Sequence, residues 1–369
     1  GEFLASVVAV VQDEIYPSLA GLRATLAFDL ARRARDDGRA GLSWIPGGRE
    51  IYAELIEHHT TLPLGAQEVH EYGLAEVARI RAEMERLGGE LFGTTGVEDL
   101  QARLRNDPEL FFDSREAVVA KAEEALGRAE RAAEGYFLRA PMAASVVVEV
   151  PEHEAAHTTI AYYREPAADG SRPGRYYVNA SEPTTRPRYD AEVLAFHEAV
   201  PGHHYQIALS QELEDLPLFR RHLGTTAFVE GWALYSERLA DEMGLYSSEL
   251  DRLGMLSFDA WRACRLVVDT GLHEYGWSRK RAIDYLYENT LLSRNNCENE
   301  VDRYIAWPGQ ALAYKLGARE IQDLRLAAER TLGERFDVAT FHDQILRNGA
   351  LPLSILRDQV NAWIERVGS

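Results

Sequence analysis

The sequence predicts a mainly α-helical fold of the α+β class, with one small β-sheet and a cleft between helical lobes. Ala, Glu, Arg and Leu, which favour helices, dominate most of its 369 residues. One stretch near the middle differs, because short runs of β-branched and aromatic residues alternate there with Pro, Gly and Asp. Since 46% of the residues are hydrophobic, the chain can form a large core.

Residues 1–143 are predicted to be a helical scaffold. Helical patterns cover three segments there, Phe3–Arg35, Gln67–Leu87 and Ser114–Phe137. Residues 144–180 are predicted to form the sheet, because they contain the runs SVVVEV, TTIAYY and RYYVN. Turn-forming residues in REPAADGSRPG separate the second run from the third.

From Asp190 the chain is predicted to be helical almost to its end. Two helices that carry candidate site residues are expected within residues 190–244, and further helices follow up to residue 369. The predicted breaks are Pro and Gly residues, namely Pro217, Gly244, Gly276, Pro308, Gly317, Gly333 and Pro352. No clear domain boundary separates residues 144–369 from the scaffold, and we therefore expect one continuous structural unit.

The charge and cysteine content exclude several classes of protein. The formal net charge of −19 argues against nucleic-acid binding, which depends on Lys and Arg side chains that neutralise phosphates, and against anionic membrane surfaces. The only cysteines are Cys264 and Cys297, so disulfide stapling is not expected. No long apolar run or signal-peptide pattern is apparent, and we therefore expect a cytoplasmic protein that binds neither nucleic acid nor membranes.

The segment AFHEAVPGHHYQ, residues 195–206, contains His197, Glu198, His203 and His204. In the zincin motif HExxH, two histidines four residues apart bind Zn²⁺, and the glutamate acts on the metal-bound water. Here the position four residues after the first histidine is Pro201. Because proline and glycine deform helices, we expect Pro201-Gly202 to form a two-residue bulge that brings His203 beside His197. His204 is the alternative ligand.

A third ligand is expected from the helix predicted in TTAFVEGWALYSERLADEMG, residues 225–244. Zinc sites of this kind usually take a carboxylate from a second helix and leave one position open for water. Glu230 is the candidate, and Gly231 beside it would let two helices approach closely. Glu237 shares a helix face with Glu230, and it is expected either to hydrogen-bond a ligand imidazole or to lie in solvent.

HEAVPGHH followed by EGWALYSE resembles the two signatures of the bacterial family called domain of unknown function 885, a gluzincin-like metallopeptidase group. Other segments agree with that family: WIPGGREIYAELIEHHTT, EVHEYGLAEVARI, GRYYVNASEP, RACRLVVDTGLH and NEVDRYIAWPGQALAYKLG. The resemblance covers most of the chain from about Gly41 onward. Family members are generally longer at the N terminus, which implies that residues 1–143 are a truncated scaffold and residues 144–369 the catalytic region.

The resemblance implies a peptidase with one Zn²⁺ ion, bound by His197, His203 and Glu230. Glu198 would be the general base and acid. In gluzincins the small sheet presents an edge strand to an extended peptide substrate. Tyr176–Asn179 would be that edge, with Tyr177 and Asn179 as substrate contacts.

Further site residues are expected in the segments that match the family. The oxyanion that develops on the substrate needs a donor, for which the candidates are His273, Arg303 and Tyr304. Other side chains are candidates for substrate binding, and three of them are cations suited to a carboxylate. These candidates are Arg262, Arg265, Lys315 and Gln310.

Three functions of different classes agree with the sequence. The first is zinc-dependent cleavage of peptide or peptide-like amide bonds. The second is a non-peptide zinc hydrolase that acts on an ester, lactam or small amide, since zinc and a base serve all of these carbonyls. The third is a metal-stabilised, non-catalytic helical binding protein. The intact Glu198 favours the two hydrolases.

Overall fold

Helices make up most of the computed structural model, which describes residues 1–368. The prediction of a mainly α-helical fold with one small sheet is confirmed. The helices before the sheet are α1 (Glu2–Leu30), α2 (Gly48–Thr60), α3 (Ala66–Phe92), α4 (Val97–Asn106) and α5 (Arg115–Ala132).

The sheet lies between α5 and the helix that carries the first histidine. It consists of three strands, β1 (Ser145–Glu149), β2 (Ala161–Arg164) and β3 (Gly174–Val178). The short helix α6 (Glu152–Ala155) lies between β1 and β2 in the chain. The strand order is β1-β3-β2, with β1 parallel and β2 antiparallel to β3.

The expectation that Tyr176–Asn179 is an edge strand is therefore wrong. β3 has a hydrogen-bonded strand on both sides, with Tyr176 opposite Val147 on β1 and opposite Tyr163 on β2. The backbone groups of β3 are used within the sheet, and they cannot pair with a substrate. β2 is an edge strand instead.

After the sheet the chain is helical to the end of the described residues. The first helices are α7 (Ala191–Glu198), α8 (His203–Gln211), α9 (Leu218–His222), α10 (Thr226–Glu242) and α11 (Glu249–His273). The remaining helices are α12 (Arg279–Asn289), α13 (Arg294–Ala306), α14 (Ala313–Leu332), α15 (Val338–Leu346) and α16 (Leu353–Gly368).

Two helix pairs build the core. α3 packs along α11, where Ile80 and Val267 belong to one cluster of buried residues. α10 packs along α14, where Trp232 and Ile321 belong to another. α7 lies between the two clusters and its Phe196 is completely buried. This position fixes the end of α7, where the first histidine of the motif lies.

The predicted helix break at Gly317 is wrong, because Gly317 lies inside α14. It faces Gly231 of α10, and an added Cβ on Gly317 would lie only 1.9 Å from the carbonyl oxygen of Ala227. A Cβ on Gly231 would lie 2.5 Å from the Cα of Gly317. Here glycine permits the close crossing of two helices and does not end one.

Helix α1 differs from the others because it buries none of its residues. Its apolar side chains are exposed, among them Phe3 at 83% and Phe28 at 63%. By length and composition α1 is apolar enough to cross a membrane. The expectation that the sequence contains no long apolar run is therefore wrong. Asp13 and Glu14 interrupt the apolar residues of α1, so the sequence of this helix contains no continuous apolar run along its whole length.

We expect Gly317→Ala to destabilise the protein by about 1–3 kcal/mol or more, because the new methyl group forces α10 and α14 apart. Gly127→Ala in α5 is the matched control, since its Cβ would meet the Arg131 guanidinium at an ordinary 3.5 Å. That control is expected to stabilise the protein by roughly 0.5–1 kcal/mol, as alanine does in a helix interior. Urea denaturation of both variants measures the difference, and equal stabilities would contradict the close crossing.

Candidate metal centre

The motif helix is interrupted between α7, which ends at Glu198, and α8, which begins at His203. Across this break the backbone N–H of Tyr205 donates to the carbonyl of Ala199, at 3.4 Å and six residues earlier. An uninterrupted α-helix makes this bond to the residue four positions earlier. The break therefore inserts two residues and moves His203 into the position that a fourth residue would have.

Helix α10 holds this break in place. The carbonyl of Pro201 accepts hydrogen bonds from Trp232 Nε1 at 2.9 Å and from Ser236 Oγ at 3.3 Å. At Gly202 a Cβ would lie 1.9 Å from the carbonyl oxygen of His197, so the turn requires glycine. The side chains of Trp232 and Ser236 thus fix the turn against α10, which also carries Glu230.

His197, His203 and Glu230 come together, with their candidate ligand atoms all within 4.8 Å of one another. Glu230 Oε2 lies 3.4 Å from His203 Nε2 and 3.8 Å from His197 Nε2. Ligands at zinc–ligand distances of about 2.0–2.2 Å in a tetrahedron lie roughly 3.4 Å apart. The spacing and the two-nitrogen, one-carboxylate donor set therefore fit Zn²⁺.

Glu237 orients one of these imidazoles. Its Oε1 lies 2.7 Å from His197 Nδ1, and the carboxylate is only 1% exposed. This contact points Nε2 of His197 toward Glu230, and it is the support that metal-binding histidines usually receive. Arg262 Nη2 lies 3.6 Å from the same carboxylate oxygen. Glu237 therefore contacts an imidazole and does not lie in solvent.

The cluster attracts positive charge. Burial opposes protonation of His197, but the neighbouring Glu230 carboxylate and the hydrogen-bonded Glu237 carboxylate raise its pKa to about 9. Burial would also raise the pKa of Glu230, yet the neighbouring His203 and His197 hold that pKa well below its usual value. The carboxylate is thus strongly stabilised in its charged form when cationic groups surround it. Protons or a metal cation can provide that charge.

His204 lies outside this cluster. Its Nδ1 is 2.9 Å from the hydroxyl of Tyr163, and its Nε2 is 3.0 Å from the carbonyl oxygen of Ala143. Burial lowers the pKa of His204 to about 4, so the ring is neutral at pH 7. Because both nitrogens have other partners, the structure gives no support to His204 as the alternative ligand.

A cleft of about 400 Å³ opens beside the cluster. Glu198 lines it together with His197, His203 and Glu230. The residues before and within β2 form one wall, through Thr159, Ile160, Ala161, Tyr162 and Tyr163. Helices α11 and α14 contribute Phe258, Trp261, Arg262, Arg265 and Tyr314. Of the substrate contacts expected from the sequence, only Arg262 and Arg265 line this cleft.

The three expected oxyanion donors do not line the cleft. His273 accepts a hydrogen bond at Nδ1 from the N–H of Leu42, at 3.1 Å, and contacts the Tyr304 carbonyl through Nε2, also at 3.1 Å. The hydroxyl of Tyr304 donates to Glu300 at 2.6 Å. Arg303 donates to Gln310 Oε1 at 2.6 Å. These polar groups are used within the protein and lie behind the cleft wall.

The other expected contacts also have structural partners. Lys315 is buried in ion pairs with Asp259 and Glu76. Asn179 is 2% exposed and donates to the carbonyl of Ala155 at 2.9 Å. The ring of Tyr177 stacks on that of Tyr162 at 4.7 Å. Gln310 pairs with Arg303, and none of these four residues lines the cleft.

The sequence analysis did not identify the five aromatic residues of the cleft, which are Tyr162, Tyr163, Phe258, Trp261 and Tyr314. Tyr163 lies in the run TTIAYY, which forms the edge strand β2. Trp261 and Tyr314 each precede a candidate substrate-binding residue, Arg262 and Lys315 respectively. A helical projection that placed Arg262 and Arg265 on the cleft could have included Trp261, which lies four residues before Arg265.

The solved structures that share this fold include two named as lipoproteins. One, "the putative lipoprotein from Colwellia psychrerythraea", is 36% identical with a TM-score of 0.94, and the match covers 99% of this chain and 63% of that one. The other, "a putative lipoprotein of unknown function from Shewanella oneidensis", is 21% identical with a TM-score of 0.77, covering 95% of this chain and 64% of that one. The chain thus spans less than two thirds of either protein. No curated protein matches it.

These comparisons correct the expected location. Both similar structures carry the name of lipoproteins, and α1 is an apolar helix near the N terminus. The expectation of a cytoplasmic protein is therefore wrong. It rested on the absence of an apolar run, which the exposed helix Glu2–Leu30 contradicts.

The sequence model of one bacterial protein family matches nearly the whole chain, over residues 2–360. The two motif segments, HEAVPGHH and EGWALYSE, lie within this range and supply the three clustered residues. The match also includes the cleft residues of α11 and α14. The chain therefore belongs to the family described as "bacterial protein of unknown function (DUF885)".

Proposed function

We propose that the protein is a zinc-dependent hydrolase that cleaves peptide or peptide-like amide bonds. The observation that carries this proposal is the cluster of His197, His203 and Glu230 in the wall of a cleft that Glu198 also lines. Two imidazoles and one carboxylate are a common donor set of catalytic zinc sites, which keep one position open. Glu198 follows the candidate ligand His197 in the sequence but does not belong to the ligand cluster. A general base must likewise lie beside the metal without binding it.

Each residue has a distinct role in this mechanism. His197, His203 and Glu230 would hold the ion, which lowers the pKa of a water molecule and polarises a carbonyl group when it is bound. Glu198 accepts the proton of the attacking water and then donates it to the leaving amine. Glu237 keeps the ring of His197 in one tautomer and orientation through the bond of 2.7 Å to Nδ1.

Tyr314 replaces Tyr304 as the proposed donor to the substrate oxyanion. It lines the cleft, and burial together with the charge of Glu230 raises the pKa of its hydroxyl. The hydroxyl is therefore protonated at pH 7 and can donate a hydrogen bond within the cleft. Tyr304, by contrast, already donates to Glu300.

Strand β2 supports a peptide substrate. It pairs with β3 on one side only, and its residues Tyr162 and Tyr163 line the cleft. An extended peptide can add to such an edge through main-chain hydrogen bonds, while its side chains enter the cleft. This arrangement favours a peptide over a small ester or lactam, which has no main chain to pair.

We also propose that the protein works outside the cytoplasm, since its similar structures are named lipoproteins. Fractionation of the bacterium that encodes it should recover the protein with periplasmic or membrane markers. Recovery with a cytoplasmic marker enzyme would contradict this location.

Replacement of His203 should remove zinc, whereas replacement of His204 should leave it. His203→Ala deletes one of three donors, while His204→Ala deletes only the contacts with Tyr163 and Ala143. Metal analysis of the dialysed proteins by mass spectrometry measures bound zinc. A zinc-free His204→Ala protein that remains folded would show that the donor assignment is wrong.

Glu198→Gln should keep zinc and the fold but lose turnover by a factor of about 10²–10⁴, because the amide cannot accept the proton. Digestion of a diverse peptide mixture, followed by mass spectrometry, measures this effect. The zinc-loaded protein should cleave, whereas the variant and a chelated sample should not. Cleavage by the Gln variant at the native rate would disprove the role of Glu198, and silence in all samples would disprove the peptidase.

A further inference from the structure

Two buried arginines line the same cleft as the metal cluster. Arg262 and Arg265 lie three residues apart on α11, and each is only 4% exposed. Burial of a guanidinium group is unfavourable unless its charge and its donors find partners. Each of these arginines keeps a buried nitrogen without a hydrogen-bond partner among the described residues, Nε in Arg262 and Nη1 in Arg265.

Arg265 is held rigidly. Its Nε donates to the Tyr304 hydroxyl at 3.0 Å, and its Nη2 donates to Glu300 at 3.1 Å. The guanidinium also stacks on Trp261 and on Tyr314, whose ring centroids are 4.4 and 4.3 Å away. Because both rings line the cleft, the group is fixed at the cleft wall with one nitrogen still unpaired.

The charges around Arg265 do not balance. Its carboxylate partner, Glu300, is shared with Arg303, whose Nη2 is also 3.1 Å away. Although burial opposes ionisation, these two arginines lower the pKa of Glu300 to about 2, so it carries one negative charge at pH 7. Arg265 shares this one carboxylate with Arg303, so its own charge at the cleft wall is only partly neutralised. A single carboxylate from a ligand would neutralise it.

Tyr314 connects this positive corner to the metal cluster. Its ring stacks on Arg265, and it lines the same cleft as His203 and Glu230. A ligand in the cleft can therefore contact both sites.

We propose that Arg265 binds the free C-terminal carboxylate of the substrate, so that the enzyme removes residues from the carboxyl end of peptides. This inference rests on the proposed peptidase function and adds the substrate class to it. The planar fork of arginine suits a carboxylate, and Trp261 and Tyr314 fix the fork in place. Arg262 contributes positive charge beside it, although Glu237 partly balances that charge at 3.6 Å.

Paired peptides of the same sequence, with a free acid or an amide at the carboxyl end, test this proposal on the zinc-loaded protein. We expect the amide to be cleaved with about 10- to 100-fold lower kcat/KM, which is the effect of losing a charged hydrogen bond. Mass spectrometry should find the products at the carboxyl end. Equal cleavage of both peptides would overturn the carboxylate site and leave the peptidase proposal intact.

Variants of Arg265 locate the effect. Arg265→Lys keeps the charge but loses the fork, and Arg265→Met loses both. Each should lower the ratio of free-acid cleavage to amide cleavage by about 10- to 100-fold, whatever its effect on cleavage of the amide. Arg319→Met is the matched control, because it removes an arginine stacked on Tyr72 at 4.3 Å outside the cleft lining. An unchanged ratio of acid to amide cleavage in Arg265→Lys, with zinc and melting temperature retained, would overturn the assignment.

A binding measurement keeps the test decisive if no peptide is cleaved. Calorimetry on zinc-loaded Glu198→Gln protein compares an N-acetylated dipeptide acid with its amide. Tighter binding of the acid, by about 10- to 100-fold and only with Arg265 intact, supports the carboxylate site even if the hydrolase proposal fails. Equal binding of acid and amide overturns it. Displacement of the acid by inorganic phosphate at similar concentration would overturn it as well, since the corner would then be a general anion site.

Discussion

The carbonyl of Pro201 is the group on which the site depends. It accepts hydrogen bonds from Trp232 and Ser236, and these bonds fix the interruption between α7 and α8 against α10. Without the interruption, His203 would point away from His197, because six residues on a regular helix do not complete whole turns. The same helix that stabilises the turn carries Glu230 and Glu237. One helix therefore determines the relative positions of all three donors and of the carboxylate that orients His197.

The position of α10 depends in turn on its crossing with α14. Gly231 and Gly317 have no side chains, so the two backbones lie in direct contact, and Tyr314 is brought into the cleft from α14. The buried aromatic residues of α10, Trp232 and Tyr235, fill the space beside this contact. The packing of the core and the geometry of the site are thus determined by the same pair of helices.

The sequence predicted the local parts of the site well and the tertiary parts poorly. Pro201-Gly202 and the spacing of the histidines were enough to predict a bulge, because a deformed turn is encoded by the residues that form it. The choice of β3 as an edge strand was wrong, since TTIAYY and RYYVN have the same strand-forming character and strand order is decided by distant pairing. Similarly, the helical pattern could not show that Arg265 faces the cleft while Lys315 pairs with Asp259.

Strand β2 has a consequence beyond the proposed binding of a peptide. An unpaired strand edge can template association between copies of a protein, and short edges that end in charged residues reduce this hazard. β2 spans only Ala161–Arg164 and ends in an arginine, which limits such association. The same shortness limits how many main-chain hydrogen bonds a guest peptide can form. Selectivity must then come mainly from what the cleft offers to side chains and end groups, so tight recognition of a long peptide sequence is not to be expected from this strand.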